Sequence, residues 1–114
     1  MKSIAVALAV AAFLFSSFAQ ADPESEARAH YQSATTHFAV GDFAKAADEY
    51  QAAYMLKPDP ALLYNAAQAY RLAGNQDKAL ILYKNYVQLY PHESNVEEVH
   101  AQIAKLKEAI AASN

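Results

Sequence analysis

Residues 41–58, GDFAKAADEYQAAYMLKP, come back in altered form at residues 74–91 as GNQDKALILYKNYVQLYP. Gly41, Ala46, Tyr50, Leu56 and Pro58 reappear as Gly74, Ala79, Tyr83, Leu89 and Pro91, each displaced by 33 residues. Self-similarity at one fixed period is the signature of stacked structural units that bury an apolar face against one another. Each copy runs glycine, alanine, an aromatic four residues on, and a proline twelve after the alanine.

Outward from these stretches, the punctuation predicts five helices between residues 22 and 114. Asp22-Pro23 opens the first, because Asp accepts the orphan amide bonds of a helix start and Pro fits the first helical position. Gly41 ends it with the left-handed residue that glycine adopts cheaply, and Asp42 caps the second helix. Pro58 stops the second, Asp59-Pro60 repeats the opening device, Gly74-Asn75 repeats the tight turn, and Pro91 stops the fourth. Ser94 with Glu97 three residues later reads as a capping box for a fifth helix. Val96, Val99, Ile103, Leu106 and Ile110 then form one apolar stripe, with Glu97, Glu98, Lys105 and Glu108 elsewhere on the helix. A final amphipathic helix of this kind hides the last apolar surface of a stack. No strand-like alternation competes.

The alanine, aromatic and proline spacing resembles the second half of the tetratricopeptide repeat signature. The resemblance spans about Ala27 to Leu106. Ala46 and Ala79 are small where the two helices of a repeat cross closely, and Tyr50 and Tyr83 fill the gap beside them. The first-helix half departs from the family. Its tryptophan place falls on His30 and Leu63, its leucine place on Ser33 and Ala66, its glycine place on Ala34 and Ala67, and its tyrosine place on His37 and Tyr70. The resemblance implies an all-α fold: a short right-handed α-solenoid of two helix-turn-helix repeats, about residues 27–59 and 60–92 within 22–93, closed by a capping helix at 94–114. The first repeat, with His30, Ser33 and His37 at core-facing places, is expected to pack less tightly than the second.

Residues 1–21 have another composition. Lys2, an apolar run from Ile4 to Phe15 and the small residues Ala19-Gln20-Ala21 read as a secretory signal cleaved after Ala21. The run of twelve falls short of the roughly 20 residues of a membrane-spanning helix. The chain has no cysteine, so disulfides, thiolate metal sites and a lipidated cysteine are excluded. The expected product is periplasmic or secreted, without stable membrane insertion. Of nine Lys and Arg only Lys2 leaves with the signal, so eight stand against twelve Asp and Glu, a net charge of −4. That balance argues against nucleic acid as a partner.

In the family the first helices of successive repeats line a concave groove for protein segments. The resemblance places Arg28, Tyr31, Thr35 and Phe38 there from the first repeat, and Tyr64, Gln68, Arg71 and Leu72 from the second. Tyr31 and Tyr64 stand one period apart as a ladder of amphipathic rings, suited to apolar side chains and to peptide backbone. Arg28 and Arg71 suit an acidic or carboxylate-bearing partner. A second reading has both rings covering adjacent helices and both arginines solvated. Asn65 resembles the asparagine that holds a ligand's terminal carboxylate in some members. The accompanying basic residues are replaced by Tyr31, Ser94 and Glu98, so the resemblance does not extend to a carboxylate clamp.

Catalytic chemistry finds little to work with. His30 and His37 lie two turns apart, about 10 Å along a helix, too far to share a metal ion without further ligands. His92 and His100 with Glu93, Glu97 and Glu98 form a loose cluster. Adjacent acids such as Asp48 and Glu49 diverge around a helix, and no nucleophile constellation or phosphate-cradling loop is present. The sequence thus points to a non-enzymatic adaptor or scaffold without a cofactor, binding a protein or peptide partner. The alternative is a structural module that self-associates weakly through its repeat ends.

Overall fold

A computed structural model describes residues 22–114; the signal expected at residues 1–21 lies outside the described residues. Five α-helices follow in order: α1 Pro23–Ala39, α2 Phe43–Leu56, α3 Pro60–Leu72, α4 Gln76–Leu89 and α5 Val96–Ala112. Among the described residues there is no strand. Each helix packs on the next along the chain. None of the described helices is long and apolar enough to cross a membrane.

The helix ends follow from local chemistry. Asp22, Asp42, Asp59 and Asn75 cap α1 to α4, their side chains accepting from the amides of Ser25, Lys45, Ala61 and Lys78. Pro23 and Pro60 take the first helical position, where no amide hydrogen is needed. Gly41 and Gly74 adopt φ of 80° and 82°. In each turn the glycine amide donates to the carbonyl three residues back at 3.1 Å, onto Phe38 and Arg71. The following amide reaches His37 in one and Tyr70 in the other, both at 2.9 Å. This is the Schellman arrangement, which satisfies the last carbonyls of α1 and α3. The two turns are thus the same turn 33 residues apart.

The capping box expected from Ser94 and Glu97 does not form. Ser94 lies in the turn before α5, and Asn95 takes the N-cap position without a side-chain capping bond. Its Oδ1 accepts instead from the Tyr86 hydroxyl at 2.5 Å. Tyr86 is 2% exposed, and a buried hydroxyl without a partner costs more than an uncapped helix start that water can reach.

The core is built from alanines and tyrosines. Ala34, Ala46, Ala66, Ala67 and Ala79 are fully buried where helices approach closely, and Tyr50, Tyr70, Tyr83 and Tyr86 fill the space between. Tyrosine brings hydroxyls into this core, and those of Tyr54, Tyr70, Tyr83 and Tyr86 find partners on neighbouring segments. Tyr70 Oη lies 2.9 Å from Asp48 Oδ1 and 2.7 Å from Gln51 Oε1, and Arg71 Nε donates to Tyr83 Oη at 3.3 Å. Tyr54 and Tyr90 bond hydroxyl to hydroxyl at 2.8 Å.

The first hairpin carries less of this core than the second. α1 buries only Ala27 and Ala34, whereas α3 buries six residues from Leu62 to Tyr70. His30, Ser33 and His37 are half-buried, and His30 Nδ1 sits 2.5 Å from Glu49 Oε2 of α2. An edge of polar pairs replaces the apolar contacts that α3 makes. On α5, Val99, Ile103 and Leu106 are buried, while Val96 and Ile110 at the ends of the stripe are half-covered.

Candidate functional site

The short turns make α1 and α3 run in the same direction, with α2 and α4 as the return strokes. Two aromatic pairs sit at the same place along the two hairpins. Tyr31 packs edge-on to Tyr50 with centroids 6.1 Å apart and planes at 60°. Tyr64 packs edge-on to Tyr83 at 6.2 Å and 64°. Both first-helix rings therefore lie against the tyrosine that follows the buried alanine of the partner helix. Such edge-to-face contact adds to the burial of each ring.

The hydroxyls of these rings differ. Tyr64 Oη donates to Glu98 Oε1 of α5 at 2.9 Å and accepts from Gln68 Nε2 at 2.9 Å. Its pKa is pushed up to about 12, first by burial and then by the Glu98 carboxylate. Burial also raises Tyr83, against the pull of Arg71. These groups stay protonated at neutral pH and act as hydrogen-bond donors. The Tyr31 ring is 45% exposed, and its hydroxyl makes no hydrogen bond among the described residues.

Tyr31 and Arg28 share a cavity of about 310 Å³ between the start of α1 and the start of α3, floored by Ala27, Ala61 and Leu62. Glu24, Lys57 and Asp59 complete its wall. Lys57 Nζ donates to Glu24 Oε1 at 3.1 Å, tying the first turn of α1 to the end of α2. Asp59 is occupied in capping α3. Arg28 makes no ion pair among the described residues; Asp22 is held low chiefly by the Ser25 amide, with Arg28 the least of the influences upon it.

The eight residues expected to line a groove thus divide. Arg28 and Tyr31 line one open cavity. Tyr64 and Gln68 are chained to Glu98, and Arg71 is committed to Tyr83. Thr35 donates to the Tyr31 carbonyl at 2.9 Å within its own helix. Phe38 packs on Phe43 at 5.1 Å near the hairpin turn, and Leu72, 43% exposed, stands at the end of α3; neither joins the cavity. Sequence reasoning missed the cavity wall from Glu24, Lys57 and Asp59, and it missed Glu98 as the partner of Tyr64. Those contacts link positions more than 30 residues apart, and no local spacing announces them.

Among the described residues no three His, Cys, Asp or Glu side chains are placed to share a metal ion. The histidines at positions 30 and 37 are each directed to a carboxylate, Glu49 and Asp42. What the cavity beside Tyr31 offers chemically is a guanidinium and a phenol donor over an apolar floor, with the Lys57–Glu24 pair and the Asp59 carboxylate in its wall. No protein-family model matches this chain, and no curated protein matches it either.

Proposed function

We propose that this chain is a small exported adaptor of the tetratricopeptide type, two helical repeats and a capping helix arranged as a short right-handed solenoid. Its leader is removed after Ala21, and in the periplasm or outside the cell its α1/α3 groove holds a segment of another protein, scaffolding an envelope complex. The observation that carries the reading is the pair of edge-on tyrosine contacts, Tyr31 on Tyr50 and Tyr64 on Tyr83, repeated at one displacement with the same geometry. The matching glycine turns and the equal 14-residue second helices support the repeat reading. The cavity beside Tyr31 supports the groove reading. A groove of this length buries less than about 1,200 Å², the size of weak, transient contacts, and the expected dissociation constant is near micromolar, roughly −8 kcal/mol.

A photo-crosslinking amino acid at Thr35, exposed on α1, is expected to trap a defined protein in cells, while the same group at Lys84, exposed on α4, traps none. Equal adducts from both positions, or none from Thr35, would remove the groove. A second reading, a structural module that associates with copies of itself, draws support from the exposed Met55, Ile81 and Leu89 on α2 and α4. Light scattering at rising concentration separates them, since the adaptor stays monomeric throughout.

A further inference from the structure

We infer that the open half of the groove takes an acidic side chain of the bound segment, its carboxylate held by Arg28 and the Tyr31 hydroxyl. This rests on the groove reading and adds the chemistry of the partner.

The protein holds the tyrosine half of this arrangement within itself, with Ala61 standing 33 residues after Arg28. Tyr64, packed on Tyr83, delivers its hydroxyl to a carboxylate of α5, Glu98. Tyr31, packed on Tyr50 in the same way, has no acceptor among the described residues. The position 33 residues before Glu98 is Asn65, and Asn65 makes no hydrogen bond to Tyr31. The first ring therefore presents the same donor with the carboxylate missing.

The four charged residues lining the cavity balance, Arg28 and Lys57 against Glu24 and Asp59, so an anion is favoured there by the local position of Arg28 and not by the sum of charge. Lys57 and Glu24 pair with each other, and Asp59 accepts the Ala61 amide at the α3 cap while keeping its charge. Arg28 makes no ion pair among the described residues, although its charge is felt by Asp22, and it carries a forked set of donors that matches a carboxylate in two bonds. The floor of Ala27 and Leu62, both nearly buried, receives the methylenes of a Glu or an apolar neighbour. A polyanion does not fit this assignment, because the net charge of −4 left after leader loss repels it while one carboxylate meets a local cation. A side chain, not a chain terminus, is assigned because the internal example is a side chain carried on a helix.

The test selects a random peptide library on the purified protein and measures recovered peptides by fluorescence anisotropy against the native form, Arg28→Gln, Tyr31→Phe and Ala61→Trp. Tyr31→Phe keeps the ring on Tyr50, and Ala61→Trp fills the cavity from an exposed position; circular dichroism checks that each variant folds. The recovered peptides are expected to be rich in Asp or Glu beside an apolar residue. Changing that acid to its amide weakens binding about tenfold, and Arg28→Gln weakens it as much while erasing the difference between acid and amide. Amidating the peptide's C-terminus leaves affinity unchanged. If acid and amide bind alike and Ala61→Trp still blocks them, the groove stands and the carboxylate assignment falls. If affinity is lost on C-terminal amidation, the side-chain assignment falls. Peptides indifferent to Ala61→Trp bind elsewhere and remove both readings.

Discussion

Ending the chain at Glu93 deletes α5 and tests whether the first four helices stand alone. α5 contributes Val99 at 0%, Leu106 at 4% and Ile103 at 7% exposure. Burying each such side chain stabilises by about 1.5–3 kcal/mol, so the three together supply roughly 5–9 kcal/mol, an upper figure because the unfolded chain is already partly collapsed. Domains of this size are held by about 0.05–0.15 kcal/mol per residue, which over residues 22–114 amounts to roughly 5–14 kcal/mol. Removing α5 therefore cancels most of the margin. It also bares Tyr86, now 2% exposed and bonded to Asn95, and it frees Tyr64 from Glu98. The expected result is a flattened thermal transition by circular dichroism and a urea midpoint lost or moved to low denaturant. Ile103→Ala is a milder version, expected to cost about 2–5 kcal/mol with the cooperative transition kept. A chain ending at Glu93 that melts at the same temperature and with the same steepness as the intact protein would refute the capping argument outright.

Tyr54 and Tyr64 have pKa values raised from 10 to about 12, mainly by burial, so the folded state prefers their neutral form. Their contribution is complete below pH 10 and is lost as pH rises towards 12. Alkaline unfolding followed by circular dichroism should fall in that window, with ultraviolet titration showing part of the tyrosines ionising only as the fold is lost; all eight titrating near 10 in the folded protein would contradict the buried network. Gly41→Ala should destabilise by about 1–2 kcal/mol, since an L side chain at φ of 80° is strained although nothing lies within 4 Å of the added carbon. An unchanged urea midpoint for that variant would show that the turn relaxes without cost.

The helix boundaries were legible because each depends on chemistry within a few residues. Asp22, Asp42, Asp59 and Asn75 reach amides two or three positions ahead, and Gly41 and Gly74 bend the chain within their own turns. The all-helical class and the α5 stripe followed from spacing alone. Where local reasoning failed, a distant group intervened. Ser94 and Glu97 have the right spacing for a capping box, yet the buried Tyr86 hydroxyl claims Asn95 at that helix start. The partners of the two ladder tyrosines were not legible either, since α5 reaches across to Tyr64 and no described residue reaches the Tyr31 hydroxyl in the same way.

The order of the amino acids determined where α1 to α4 begin, turn and end, because caps, proline and left-handed glycine act over a single turn of chain. Tertiary structure decided which side chains are spent and which remain available. Glu98 closes on Tyr64, Glu24 on Lys57 and Glu49 on His30 across separations of 34, 33 and 19 residues. A hydrogen bond depends on distance in space, and only the packing of the five helices sets that distance; for the same reason no described residue pairs with Arg28 or bonds the Tyr31 hydroxyl.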